Sequence, residues 1–180
     1  MIVVLDNIRS IYNVGSIFRT ADALGVEKIY LCGITPTPID RFGLKNKALA
    51  KVALGAEQSV PWSKVGSTLA AVEKLKQEGY SIIALEQDER AISLFDADLK
   101  QSSKKKIALL LGVEVEGLSK EILDQADLIA EIPMRGKKES LNVSVAFGIA
   151  GYALTPARNV THSVAGGPTL SHGEREHNNL

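Results

Sequence analysis

The chain has 180 residues, 45% hydrophobic and 23% charged, which fits one ordinary globular core and excludes fibrous, low-complexity and wholly disordered classes. Lys plus Arg and Asp plus Glu both total 21, so no global basic field marks a nucleic-acid binder, and any RNA surface must be local. A single cysteine, Cys32, excludes an internal disulfide and any multi-thiolate metal site, and reads as a core residue.

The run Ile2-Val3-Val4-Leu5 is short, apolar and β-branched, as a buried strand should be. It enters Asp6 with neither a basic leader nor a cleavage site, and no apolar run approaches the roughly 20 residues that span a bilayer, so a cytoplasmic location is expected. Helical spacing then predicts a helix over Asn13 to Leu24, stopped by Gly25. Val26 to Cys32 reads as a second strand, closed by Gly33 and a loop containing Pro36 and Pro38. Val65, Leu69, Val72 and Leu75 predict a helix from Ser63 to Gln77, with Ser63 as its cap and Gly79 as its stop. Tyr80 to Leu85, Ile107 to Leu111 and Asp127 to Ile132 are further strands, and their near-continuous apolar character indicates parallel pairing. A last helix from about Asn142 to Leu154 breaks at Pro156. The expectation is an α/β domain over residues 1–155, a mostly parallel sheet flanked by helices. Residues 156–180 contain Gly166-Gly167-Pro168 and no periodic apolar face, and read as a disordered tail. His162, His172 and His177 all fall in that tail at irregular spacing, which leaves the body of the protein without its commonest general base.

Ligands of open parallel sheets bind beyond the carboxyl ends of the strands, which directs attention to the loops after Leu5, Leu85, Leu111 and Ile132. The first carries Arg9, Asn13 and Arg19; Arg19 lies among Ile17, Phe18, Ala21 and Ala23, where a cation needs a partner or a ligand such as phosphate. A structural ion pair, or a guanidinium that snorkels to solvent, is the other option at this point. The second, Gly112 to Ser119, places Glu114 and Glu116 between Gly112 and Gly117, so that backbone can approach a ligand closely; a plain strand-to-helix turn capped by Ser119 has the same pattern. In the third, Ile132 to Ala146, Ser140 or Asn142 can cap the last helix, and a helix start also holds polar ligands.

No dinucleotide-type glycine pattern, phosphate loop or His/Cys cluster with metal-ligand spacing occurs, so no metal is expected. Two basic stretches can meet phosphates: Arg41, Lys45, Lys47 and Lys51, and Arg135, Lys137 and Lys138. Solvated faces are the ordinary alternative.

Taken together and in this order, the three loop segments closely resemble the three motifs of the SpoU (TrmH-like) family of RNA 2′-O-ribose methyltransferases, within the SPOUT superfamily. The likeness runs from about Ile2 to Leu154 and includes Ala53-Leu54-Gly55-Ala56 between the first two motifs. One departure is Val113, where the family commonly has an asparagine, which bears on one hydrogen bond at the ligand loop. The resemblance implies a deep trefoil knot in the C-terminal half, an exception to the rule that chains do not thread themselves. It also implies S-adenosylmethionine bound by the positions corresponding to Leu85, Gly112, Glu114, Gly117, Ile132, Met134, Ser140 and Leu141. A homodimer is implied as well, in which Arg19 completes a site with residues of the partner chain. An extra N-terminal RNA-binding domain, present in some relatives, is not expected, since the first strand begins at Ile2.

By resemblance Arg19 is the catalytic residue, with Asn13, Glu114, Ser140 and Asn142 orienting it or the substrate. A guanidinium stays protonated, so an electrostatic role fits better than a base role. The RNA surface expected is Arg9, Arg19, Arg41, Lys45, Lys47, Lys51, Arg135, Lys137 and Lys138, with transfer or ribosomal RNA as substrate. The competing readings are an idle cofactor- and RNA-binding scaffold, an RNA base methyltransferase, and a small-molecule α/β enzyme unrelated to RNA.

Overall fold

The structure, a computed structural model, describes residues 1–96, 106–113 and 116–155. In chain order the elements are β1 (Ile2–Asp6), α1 (Ile11–Leu24), β2 (Lys28–Cys32), α2 (Lys47–Ala53), α3 (Ala56–Ser59), β3 (Trp62–Val65) and α4 (Thr68–Gln77). They continue with β4 (Ser81–Leu85), β5 (Ile92–Ser93), β6 (Ile107–Leu111), α5 (Lys120–Leu123), β7 (Leu128–Glu131) and α6 (Val143–Leu154). The strands form one sheet in the order β3-β2-β1-β6-β4-β7-β5, and every pairing is parallel.

The pleat explains why the central strands are apolar throughout. On β1, Val3 and Leu5 join one core cluster with Phe18 of α1 and Phe147 of α6, while Ile2 and Val4 join another with Val72 and Leu75 of α4. Both faces are covered, so each fully buried Leu, Ile or Phe contributes about 1.5–3 kcal/mol. Cys32 lies in the second cluster, and burial pushes its thiol up to about 11. α1 packs against α2 and α6; a side chain at Gly15 would sit 2.8 Å from Val52 Cβ, so glycine permits the α1–α2 approach.

One predicted element needs correction. The helix starts at Thr68, not Ser63: Trp62–Val65 is an edge strand paired to β2, and Ser67 is the cap, accepting from the Ala70 N–H. Val65 falls at helical spacing from Leu69 by coincidence, for it belongs to β3 and Gly66 separates the two elements. α1 begins two residues earlier than expected because Ser10 caps it, and α6 begins at Val143 with Asn142 as its cap. Among the described residues no helix is long and apolar enough to cross a membrane. The expected tail, its three histidines and Glu114 lie outside the described residues.

Candidate active site

β4, β6 and β7 are neighbours, with Leu85 level with Leu111 and Ala130, so the loops that follow start at one edge of the sheet. They surround a cavity of about 330 Å³, within the size range of small-ligand sites. Leu85, Gly112, Gly117, Ile132, Met134, Ser140 and Leu141 all line it. Val143 and Ala146 of α6 close one side.

The glycines have definite reasons to be there. A Cβ on Gly112 would lie 2.6 Å from both the Gly117 carbonyl carbon and the Leu118 nitrogen, because the loop folds back on itself. The Gly117 N–H donates to the Val113 oxygen at 3.0 Å and closes that turn. Gly117 has φ of 67°, in the left-handed region, and a side chain there would run into the Glu86 carboxylate.

Glu86 and Gln87 were not among the residues singled out from the sequence, yet they tie the loops together. The Glu86 carboxylate accepts from the Leu118 N–H at 2.9 Å and from the Gln87 N–H at 3.0 Å. The Gln87 side-chain amide donates to the Glu139 carbonyl at 2.5 Å. Their position directly after Leu85 at a strand end was the available signal. Among the described residues Glu86, Glu116, Glu131 and Glu139 line the cavity and no lysine or arginine does, so this lining favours a positively charged ligand.

The first and third loop segments meet through two asparagines. The Asn142 side-chain N–H donates to Asn13 Oδ1 at 3.1 Å, while Asn142 Oδ1 accepts from the Ser144 backbone and hydroxyl at 3.0 and 2.7 Å. Asn142 thus both caps α6 and joins it to α1. Thr35 steadies the loop after β1, donating to the Leu5 carbonyl and accepting from the Ile8 N–H, each at 3.1 Å.

Arg19 does not join this group. It lies six residues beyond Asn13 on α1, about 9 Å along the axis, and does not line the cavity. It is exposed and forms no ion pair or hydrogen bond with the described residues, so the structural ion-pair alternative finds no support there. Arg9 reaches Glu116 at 3.9 Å across the first and second loops, a wide and exposed pair worth little. Arg41, Lys45, Lys47 and Lys51 are exposed on the segment after β2 and on α2; Arg135, Lys137 and Lys138 are exposed on the loop between β7 and α6. Among the described residues no three His, Cys, Asp or Glu side chains group as a metal site requires.

A parallel α/β domain with a glycine-built, acid-lined pocket at its carboxyl edge belongs to the class of ligand-binding domains that present a site on strand-end loops. The sequence profile of the SpoU rRNA Methylase family matches residues 1–152, and the chain belongs to that family. It is 35% identical over 160 residues to the 23S rRNA (guanosine-2′-O-)-methyltransferase RlmB of Ralstonia nicotianae, covering 89% of this chain and 60% of that protein. The chain therefore spans about three fifths of the length of that relative. An AdoMet-bound rRNA methyltransferase from Sinorhizobium meliloti superposes with a TM-score of 0.75 at 29% identity, over 85% of this chain and 54% of that one. A structure described in connection with 2-OH methylation of C/U34 on tRNA superposes at 0.69 with 30% identity, over 85% of this chain and 92% of that one.

Proposed function

We propose that this chain transfers a methyl group from S-adenosylmethionine to a ribose 2′-hydroxyl of transfer or ribosomal RNA. The observation that carries the reading is the acid-lined pocket built on Gly112 and Gly117, joined to the first helix by the Asn13–Asn142 hydrogen bond. The RNA substrate and 2′-oxygen are taken over from the RlmB relative, whose name states both.

The residues present fit the cofactor. A cation with a flat apolar base suits carboxylates beside Leu85, Ile132 and Leu141, and backbone groups exposed at glycines can hydrogen-bond it without side-chain interference. When bound, S-adenosylmethionine supplies an electrophilic methyl on a sulfonium. The chain's part is to align the 2′-oxygen with that methyl and stabilise charge as the hydroxyl proton passes to water. Arg19 holds the adjacent phosphate and stabilises the developing alkoxide while staying protonated. Asn13, Glu114, Ser140 and Asn142 orient the reacting groups.

Because Arg19 stands away from the pocket of its own chain, the reading includes a two-fold homodimer in which it serves the partner's pocket. Exposed Tyr12, Val145 and Tyr152 on α1 and α6 supply an apolar face suited to that contact. The same reading gives the C-terminal half a deep trefoil knot, makes residues 1–155 the methyltransferase domain of a cytoplasmic protein, and assigns phosphate contacts to Arg9, Arg41, Lys45, Lys47, Lys51, Arg135, Lys137 and Lys138.

Incubation with methyl-labelled S-adenosylmethionine and total cellular RNA tests the proposal. Label in RNA is the expected result; no label, with calorimetric cofactor binding intact, removes RNA methyl transfer from the account. Mixing Arg19→Ala chains with Gly112→Ala chains tests the shared site, since mixed dimers should regain activity that neither parent has.

A further inference from the structure

We propose that residues 37–46 form a rigid platform on which an unpaired base of the RNA stacks, with Phe42 as the stacking ring. The inference rests on the RNA-methyltransferase reading and names the surface that selects the substrate.

The segment is a tight antiparallel turn. Ile39 and Lys45 form a β-bridge, and the Asp40 carboxylate accepts from the Phe42 and Leu44 N–H groups at 2.8 and 2.9 Å. Gly43 completes the turn with φ of 79°. At its base Asn46 donates to the Pro38 carbonyl at 2.8 Å and caps α2 through the Leu49 N–H at 3.1 Å. Lys64 on β3 donates to the carbonyls of Gly33 and Thr35, fixing the stem.

On this ordered tip the apolar side chains point away from the core: Phe42 is 71% exposed and Leu44 64%. An aromatic ring held in water by a rigid turn stabilises nothing in the fold and is poised for a partner. The Arg41 guanidinium lies 4.8 Å from the ring centroid, an arrangement that a stacked base can share. Residues 35–56 carry four cations, Arg41, Lys45, Lys47 and Lys51, against one acid, Asp40. Asp40 is engaged by backbone donors, Glu57 lies just beyond, and the cations make no ion pair with the described residues. The segment therefore carries a net charge of +3 in a chain that is neutral overall. Flat aromatic surface beside unpaired cations is complementary to single-stranded nucleic acid, with stacking for bases and lysines for phosphates.

The location agrees. The platform grows from the carboxyl end of β2, two strands from β6, whose loop carries Gly112. Two strand spacings are about 10 Å along the edge that holds the pocket, so the base engaged is one flanking the methylated nucleotide.

The test uses the full chain with methyl-labelled cofactor and total cellular RNA, comparing wild type, Phe42→Ala, Phe42→Trp and Lys45→Ala. Phe42→Ala should raise the RNA concentration for half-maximal incorporation roughly five- to hundredfold, while Phe42→Trp stays near wild type. Cofactor affinity by calorimetry should not change, and Phe42 is exposed enough for Tm to hold. The salt dependence of RNA binding, read by filter retention, should keep its slope in Phe42→Ala and flatten in Lys45→Ala. An unchanged half-maximal concentration in Phe42→Ala overturns the platform. So does a loss accompanied by a shift of the sedimenting species from dimer to monomer, which would make this turn a contact between copies. If wild type binds cofactor but labels no RNA, the methyltransferase reading fails, and filter retention alone decides the platform: equal retention by wild type and Phe42→Ala rejects it.

Discussion

Two exposed arginines show how differently the same side chain is used on the two sides of this molecule. Arg90, on the loop after β4, donates to both oxygens of Asp88 at 2.7 and 3.1 Å and to Asp124 at 2.7 Å, while Lys120 also reaches Asp124 at 2.7 Å. Those bonds hold the Asp88 carboxyl down at about 2, and the loop is pinned to α5. Arg19, on α1, meets no carboxylate among the described residues. A guanidinium whose three nitrogens each donate to a carboxylate reports local architecture. One left without such a partner, about two turns along the first helix from the Asn13–Asn142 pair, has no structural role among the described residues.

The sharpest way to break this contrast is Arg19→Lys, which keeps the charge and loses the planar fork. Methyl transfer should fall about hundred- to thousandfold, with cofactor affinity and Tm unchanged, whereas Arg90→Lys should leave turnover near wild type. Next is Gly112→Ala: a Cβ 2.6 Å from backbone forces the loop open, so calorimetry should find cofactor binding weakened at least about tenfold, and denaturation a cost of about 1–3 kcal/mol.

Asn142→Ala should cost about 0.5–2 kcal/mol through the lost cap. Asn142→Ser should restore the stability but not turnover, because serine caps a helix without reaching Asn13. The smallest effect expected is that of Arg90→Ala. Asp88 is depressed in the folded state, so its contribution is present at neutral pH and is lost as pH falls from the ordinary carboxylate value of about 4 towards about 2. Without Arg90 that contribution is missing throughout, and the acid-unfolding midpoint should move slightly upward.

The contrast between the arginines was only half visible in the sequence. β6 was legible to its end residues, Ile107 and Leu111, because a strand buried on both faces is apolar without interruption. α2, α3 and β5 were not, being 7, 4 and 2 residues long, too short for a period to register; α2 and α3 are held by packing on α1. The pocket's glycine loops could be read because close backbone approach restricts the residue type. Glu86 and Gln87 stood at a legible strand end, but what they bond to did not show, since their bonds to Leu118 and Glu139 span 32 and 52 residues of chain. The exposure of Arg19 was equally hidden: Ile17, Phe18 and Ala21 turn into the core while it and Ala23 face outward.

The most direct test of the central claim is to map the methyl itself. Wild type and Arg19→Ala would each be given labelled S-adenosylmethionine and total cellular RNA, and the product digested with ribonucleases that cannot cut beside a 2′-O-methyl. The account predicts label in resistant dinucleotides for wild type and almost none for Arg19→Ala, with equal cofactor binding by both. Label on bases, or undiminished labelling by Arg19→Ala, would contradict it.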